Sequence, residues 1–166
     1  MKKTISKPPG SGSRGELLVA LQFLLLGTFI LTPVFPRLRE TVLYEQLAMI
    51  RWVILVFCWT IATVLGAGGL YSIRKYLTPL PYPVDDNRLV QTGVYALVRH
   101  PLYSSLLFAA AGWTEFCMSA SHLLLTALGC LFFSHKAAKE EQWLTERHPE
   151  YRDYARKVRK FIPRIL

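Results

Sequence analysis

The chain has 166 residues, 52% of them hydrophobic and 19% charged, with a mean hydropathy of +0.26. That composition excludes intrinsic disorder, and ten Gly and ten Pro exclude a collagen-like or low-complexity chain. Cys58, Cys117 and Cys130 are scattered in apolar runs without C-x-x-C or zinc-like Cys/His spacing, so neither a disulfide scaffold nor a metal site is expected. A net charge of +9 would suggest nucleic acid in a soluble protein. Here the apolar runs assign it instead to membrane topology and attraction to anionic lipid, and no nucleic-acid partner is expected.

Residues 1–15 (MKKTISKPPGSGSRG) are polar and read as a disordered basic tail. Leu17–Pro36 then carries no charge. A bilayer core of about 30 Å takes about 20 helical residues, so this run reads as a first span over Glu16–Phe35. It is longer than a signal-peptide core and no A-x-A site follows it, so cleavage is not expected. A short basic, aromatic loop leads to a second span over Leu47–Tyr71, within which Trp52–Ile73 is 22 residues without a charge. Ala62 and Gly66 form a small-xxx-small pair suited to close helix contact, and Gly66, Gly68 and Gly69 serve packing or a helix end.

Thr78–Pro83 (TPLPYP) cannot be helix or central strand. Asp85–Arg88 is a polar turn and Leu89–His100 a short mixed segment. Pro101 opens a third apolar helix over Leu102–Met118, with Glu115 its only charge. Ser119–His122 makes a tight turn before a fourth helix over Leu123–Arg147, apolar in its first half and polar in its second. The tail Glu150–Leu166 places Tyr151, Tyr154, Val158, Phe161 and Ile162 at helical spacing, which predicts an amphipathic interfacial helix. The expected fold is thus an all-α integral membrane protein of about four transmembrane helices plus that C-terminal helix. Placing both termini in the cytoplasm puts 17 of 20 positive charges inside.

Two segments at the cytoplasmic mouth of the third and fourth helices carry chemistry. In Lys136–Leu144 (KAAKEEQWL), Lys136 and Glu140 are i, i+4 and share a helix face, while Glu141 turns away by about 100°. Such a pair is routine on a soluble helix, but acids that follow directly on a membrane segment are costly and often functional. In Leu89–Tyr103 (LVQTGVYALVRHPLY), Arg99 and His100 precede a helix start whose free N–H groups suit an anion, and the rings of Tyr95 and Tyr103 can face a cation. Arg, His and Tyr also anchor helix ends at the headgroup level. An acid, anion-binding donors and aromatic walls together suit S-adenosylmethionine, with its ammonium, carboxylate and sulfonium. No Gly-rich strand–turn–helix of a soluble methyltransferase is present.

The ordered set Gly93, Tyr95, Arg99 to Tyr103, Glu140-Glu141 with Leu144, then Tyr151, Tyr154 and Pro163 resembles the isoprenylcysteine carboxyl methyltransferase family, itself similar to phospholipid N-methyltransferases. The resemblance covers about residues 77–165, the cofactor-binding part of a membrane domain over 16–166. It implies S-adenosylmethionine held near the cytosolic face by Leu89, Val90, Tyr95, His100, Pro101, Leu102, Tyr103 and Glu140. Lys136 stands where the family often has Arg, and Ser104-Ser105 where a Gly is common. Lys136 and Arg99 are the candidates for an acceptor's anionic group.

The expected activity is methyl transfer to a hydrophobic or lipid-like acceptor, a prenylcysteine-like carboxylate foremost. A carboxylate needs no metal or covalent nucleophile, because its charge and the sulfonium's cancel as the bond forms, so no catalytic base is assigned. The alternatives are N-methylation of a phospholipid or small amphiphile, and a non-catalytic membrane adaptor or lipid-recruiting protein. Membrane lipid is an expected partner, and the sequence calls for no obligate protein partner.

Overall fold

The computed structural model describes residues 15–34, 41–74 and 89–163, all helices and connecting turns. The expected tail over 1–15, except Gly15, and the segments Thr78–Pro83 and Asp85–Arg88 lie outside the described residues.

Helix α1 (Glu16–Leu31) ends earlier than expected, because Pro33 disfavours helical backbone at Thr32, which is extended at φ −67°, ψ 123°. A short helix α2 (Val42–Gln46), capped by the Thr41 hydroxyl, occupies what reads in the sequence as plain loop. Helix α3 (Ala48–Ile73) follows the second apolar run closely. Gly93–Ala96 forms one 3₁₀ turn. Helix α4 (Pro101–Cys117) starts on its proline and stops at Met118, which adopts left-handed backbone at φ 49°. Helix α5 (Ala120–Arg147) begins three residues before its expected start, because the Ser119 side chain caps it by accepting from the His122 N–H.

Among the described helices, α3 alone is by itself long and apolar enough to cross a membrane. The surface supports the same environment. Val53, Phe57, Leu124 and Leu131 are exposed, whereas Lys136, His122 and Ser104 are among the largest fully buried side chains. Apolar outside and polar inside reverses the pattern of a water-soluble helical domain and suits one solvated by hydrocarbon.

Helices α3 and α4 make the most extensive contact. Small residues permit it: a Cβ on Gly112 would lie 2.8 Å from the Cys58 Cβ, and one on Gly69 would lie 3.0 Å from Leu102. The glycines that the sequence assigns to packing therefore bring α3 against the start of α4. Helix α5 returns antiparallel to α4, and α1 leans on α5.

The C-terminal segment departs from expectation. Helix α6 is only Tyr151–Lys157; Val158 is extended, Arg159 bridges to Val98, and 160–163 bend and turn. Arg99 N–H donates to the Arg159 carbonyl (2.8 Å) and His100 N–H to the Lys160 carbonyl (3.1 Å). Tyr151, Tyr154 and Phe161 are buried against the protein rather than turned to headgroups. The expected interfacial helix is thus a docked tail, because backbone pairing with 98–100 outweighs continued helix.

Candidate active site

The start of α4 and the polar half of α5 meet, and the tail closes over both. His100 bridges the two acids: its Nδ1 lies 3.4 Å from Glu140 Oε2 and its Nε2 3.0 Å from Glu141 Oε1. Both ring nitrogens donate only in the imidazolium form. Burial works against that charge, but hydrogen bonds to Glu140 and Glu141 outweigh it and hold the His100 pKa above its ordinary value. Burial likewise pushes the Glu141 carboxyl up, yet hydrogen bonds from His100 and Arg99 bring it down to about 2.

The two carboxylates serve different neighbours, as their helical phase dictates. Glu140 accepts from the Tyr103 hydroxyl (2.5 Å). Glu141 accepts from Arg99 Nε (3.0 Å) and lies 4.0 Å from Lys160 Nζ in the tail. Lys136 shares the Glu140 face and sits 5.3 Å over the Tyr103 ring, fully buried, donating to Gln22 Oε1 on α1 (2.5 Å).

Among the residues that the sequence singles out, Tyr103, His100 and Glu140 come together directly. Tyr95 is half-buried in the 3₁₀ turn, where its carbonyl accepts from the Tyr154 hydroxyl (2.6 Å). Gly93 makes that turn possible, with φ of +64°. Pro101 and Leu102 pack on Gly69 of α3 and seat the start of α4. Leu89 and Val90 are half-buried before the turn.

Arg99 differs from expectation. Besides Glu141, it donates through Nη1 to the carbonyls of Ala155 (2.8 Å) and Val158 (2.6 Å). Its guanidinium holds the tail and does not stand open to an acceptor. Ser104, one of the two serines that stand where the resemblance commonly has a glycine, is buried and donates to the Phe161 carbonyl (2.8 Å), a second tie to the tail.

The sequence leaves the roles of three participants open. Gln22 is the one amide in the charge-free first run, a signal that marks it as buried polar. Tyr151 hides in the tail, read as part of an interfacial helix; its hydroxyl is buried without a hydrogen-bond partner among the described residues. Glu141, which helical phase turns about 100° from Glu140, is the hub of the ion-paired cluster.

Tyr103 also links the cluster to a cavity. Its ring stacks on His100 (centroids 5.6 Å apart) and on Phe133 (4.9 Å). Phe133 and Leu106 line one end of an apolar cavity of about 460 Å³ among α1, α3, α4 and α5. Trp113 and His122 line its other end.

Residues 47–146 match the isoprenylcysteine carboxyl methyltransferase (ICMT) family. A probable protein-S-isoprenylcysteine O-methyltransferase of Oryza sativa subsp. indica is 29% identical over 153 residues, 90% of this chain and 77% of that protein. Methanethiol S-methyltransferase 1 of Bradyrhizobium diazoefficiens is 30% identical over 148 residues, 89% of this chain and 50% of that one. The cobalt-zinc-cadmium resistance protein CzcN of Cupriavidus metallidurans is 33% identical over 81 residues, 48% and 38% of the respective chains. The matched stretch contains the RHPLY segment and the Glu pair, and the chain belongs to the ICMT family.

Proposed function

We propose that this protein transfers a methyl group from S-adenosylmethionine to the carboxylate of a single-chain, hydrophobic acceptor at the cytoplasmic face of a membrane. The observation that carries the reading is the Tyr103–Glu140 pair standing between an ion-paired cluster and an apolar cavity. Family membership and the relatives named as methyltransferases support the reaction class.

The residues present fit the cofactor. Glu140 offers a carboxylate to an ammonium, and the face of Tyr95 suits a cation. The Tyr151 hydroxyl, buried and without a partner among the described residues, offers a further hydrogen bond. When bound, S-adenosylmethionine supplies a methyl on a sulfonium, open to in-line displacement. The protein's own contribution is alignment and exclusion of water. Tyr103 orients Glu140, and His100 holds both acids in place. Lys136, one turn before Glu140 and over the Tyr103 ring, favours an anionic acceptor over an amine. The cavity of about 460 Å³ suits one hydrocarbon chain better than the two of a phospholipid.

The same reading places four helices in the membrane with both termini cytoplasmic. Helix α3 spans by itself, while α1, α4 and the first half of α5 reach across as a packed group. The domain runs from residue 16 to the C-terminal end, and its cofactor-binding part from about 77 to 165.

Radiolabelled methyl transfer into a lipid and protein extract tests the acceptor. The expected product is a base-labile methyl ester, and Lys136→Ala reduces its formation with cofactor affinity nearly intact. A base-stable N-methyl product contradicts the carboxylate assignment.

A further inference from the structure

The far end of the apolar cavity is not apolar. His122, at the first turn of α5, is 1% exposed and lines it. The ring is held on two sides. Its Nδ1 is 2.9 Å from Ser119 Oγ, and it stands edge-on to Phe29 with centroids 4.9 Å apart. Its Nε2 makes no hydrogen bond to any described residue. Helix capping does not explain the imidazole, because the His122 backbone N–H already meets Ser119 Oγ. Beside it, Thr126 also lines the cavity, with its hydroxyl 2.8 Å from that of Thr114. Whichever tautomer Ser119 selects, Nε2 keeps one donor or one acceptor for a ligand, and leaving it unmet in a dry cavity carries a desolvation cost.

We propose that the cavity ends in a polar subsite at His122, which takes a hydroxyl or carbonyl group at the tip of an apolar ligand chain. His122 and Phe133 are eleven residues apart on α5, about 16 Å, so the subsite also measures the chain. A ligand filling the cavity places its reacting head beside Tyr103 and its tip beside His122. The inference rests on the reading that the acceptor's chain occupies this cavity.

The test uses two probes of one length, N-acetyl-S-dodecylcysteine and N-acetyl-S-(12-hydroxydodecyl)cysteine. Their affinities for the full chain are measured by calorimetry in one detergent, and the ratio is compared between wild type and His122→Phe. A net hydrogen bond predicts a ratio about fivefold higher in wild type than in the variant. His122→Gln, which keeps a hydrogen-bonding group, retains part of the preference. An equal ratio in wild type and His122→Phe, with both probes bound, overturns the polar subsite and leaves the acceptor cavity standing. Failure of wild type to bind either probe overturns both.

Discussion

At the scale of single residues, the cluster around His100 is an alternation of charges: Arg99, His100 and Lys160 against Glu140 and Glu141. The pKa values of His100 and Glu141 each move in the direction that keeps the group charged, and these two shifts set a pH window. Glu141 is depressed to about 2, so its contribution to stability is present above the ordinary carboxylate range, near 4.3, and is lost as pH falls through the folded value. His100 is raised, so its contribution is full below its ordinary value, near 6.5, and is lost as pH rises through its folded value. Hydrogen exchange of the Arg99 and His100 amides checks this, since both donate to carbonyls of the docked tail. Wild type keeps these amides protected at pH 5–6 and loses protection on the alkaline side. His100→Gln, uncharged throughout, flattens that alkaline loss. An alkaline loss of the same size in His100→Gln contradicts the bridging role.

At the scale of elements, the long apolar helices were legible because periodicity and length decide them, and α3 and α4 fall within two residues of their expected bounds. The misses follow from interactions that a linear pattern does not carry. The early stop of α1 turns on one residue, since Pro33 constrains Thr32. The early start of α5 turns on the Ser119 cap. The tail was misread because Tyr151, Tyr154 and Phe161 recur at helical spacing, yet their burial comes from Arg99 and Ser104 gripping carbonyls nearly 60 positions away. The site divides the same way. The Lys136–Glu140 face follows from helical phase alone. The Gln22 partner of Lys136 and the turning of Arg99 to the tail depend on how separate helices meet.

At the scale of the whole molecule, the described surface is apolar where it meets hydrocarbon and the interior is polar where α1, α4 and α5 converge. The proposed topology, with four spans and both termini cytoplasmic, is open to accessibility labelling with single cysteines at Ser13 and at Leu166, on a background lacking Cys58, Cys117 and Cys130. Both sites react from the cytosolic side only; reaction from opposite sides contradicts an even number of spans. The central claim is that the start of α4 and the polar half of α5 together bind S-adenosylmethionine, with Glu140 as the acid. Calorimetric titration of the purified protein in detergent tests it most directly. A hydrogen bond to a charged group contributes about 1.5–3 kcal/mol, and each 1.4 kcal/mol is about tenfold. Glu140→Gln therefore weakens binding by roughly 10- to 150-fold while the protein remains helical and monodisperse. Unchanged affinity in a folded Glu140→Gln protein contradicts the assigned site.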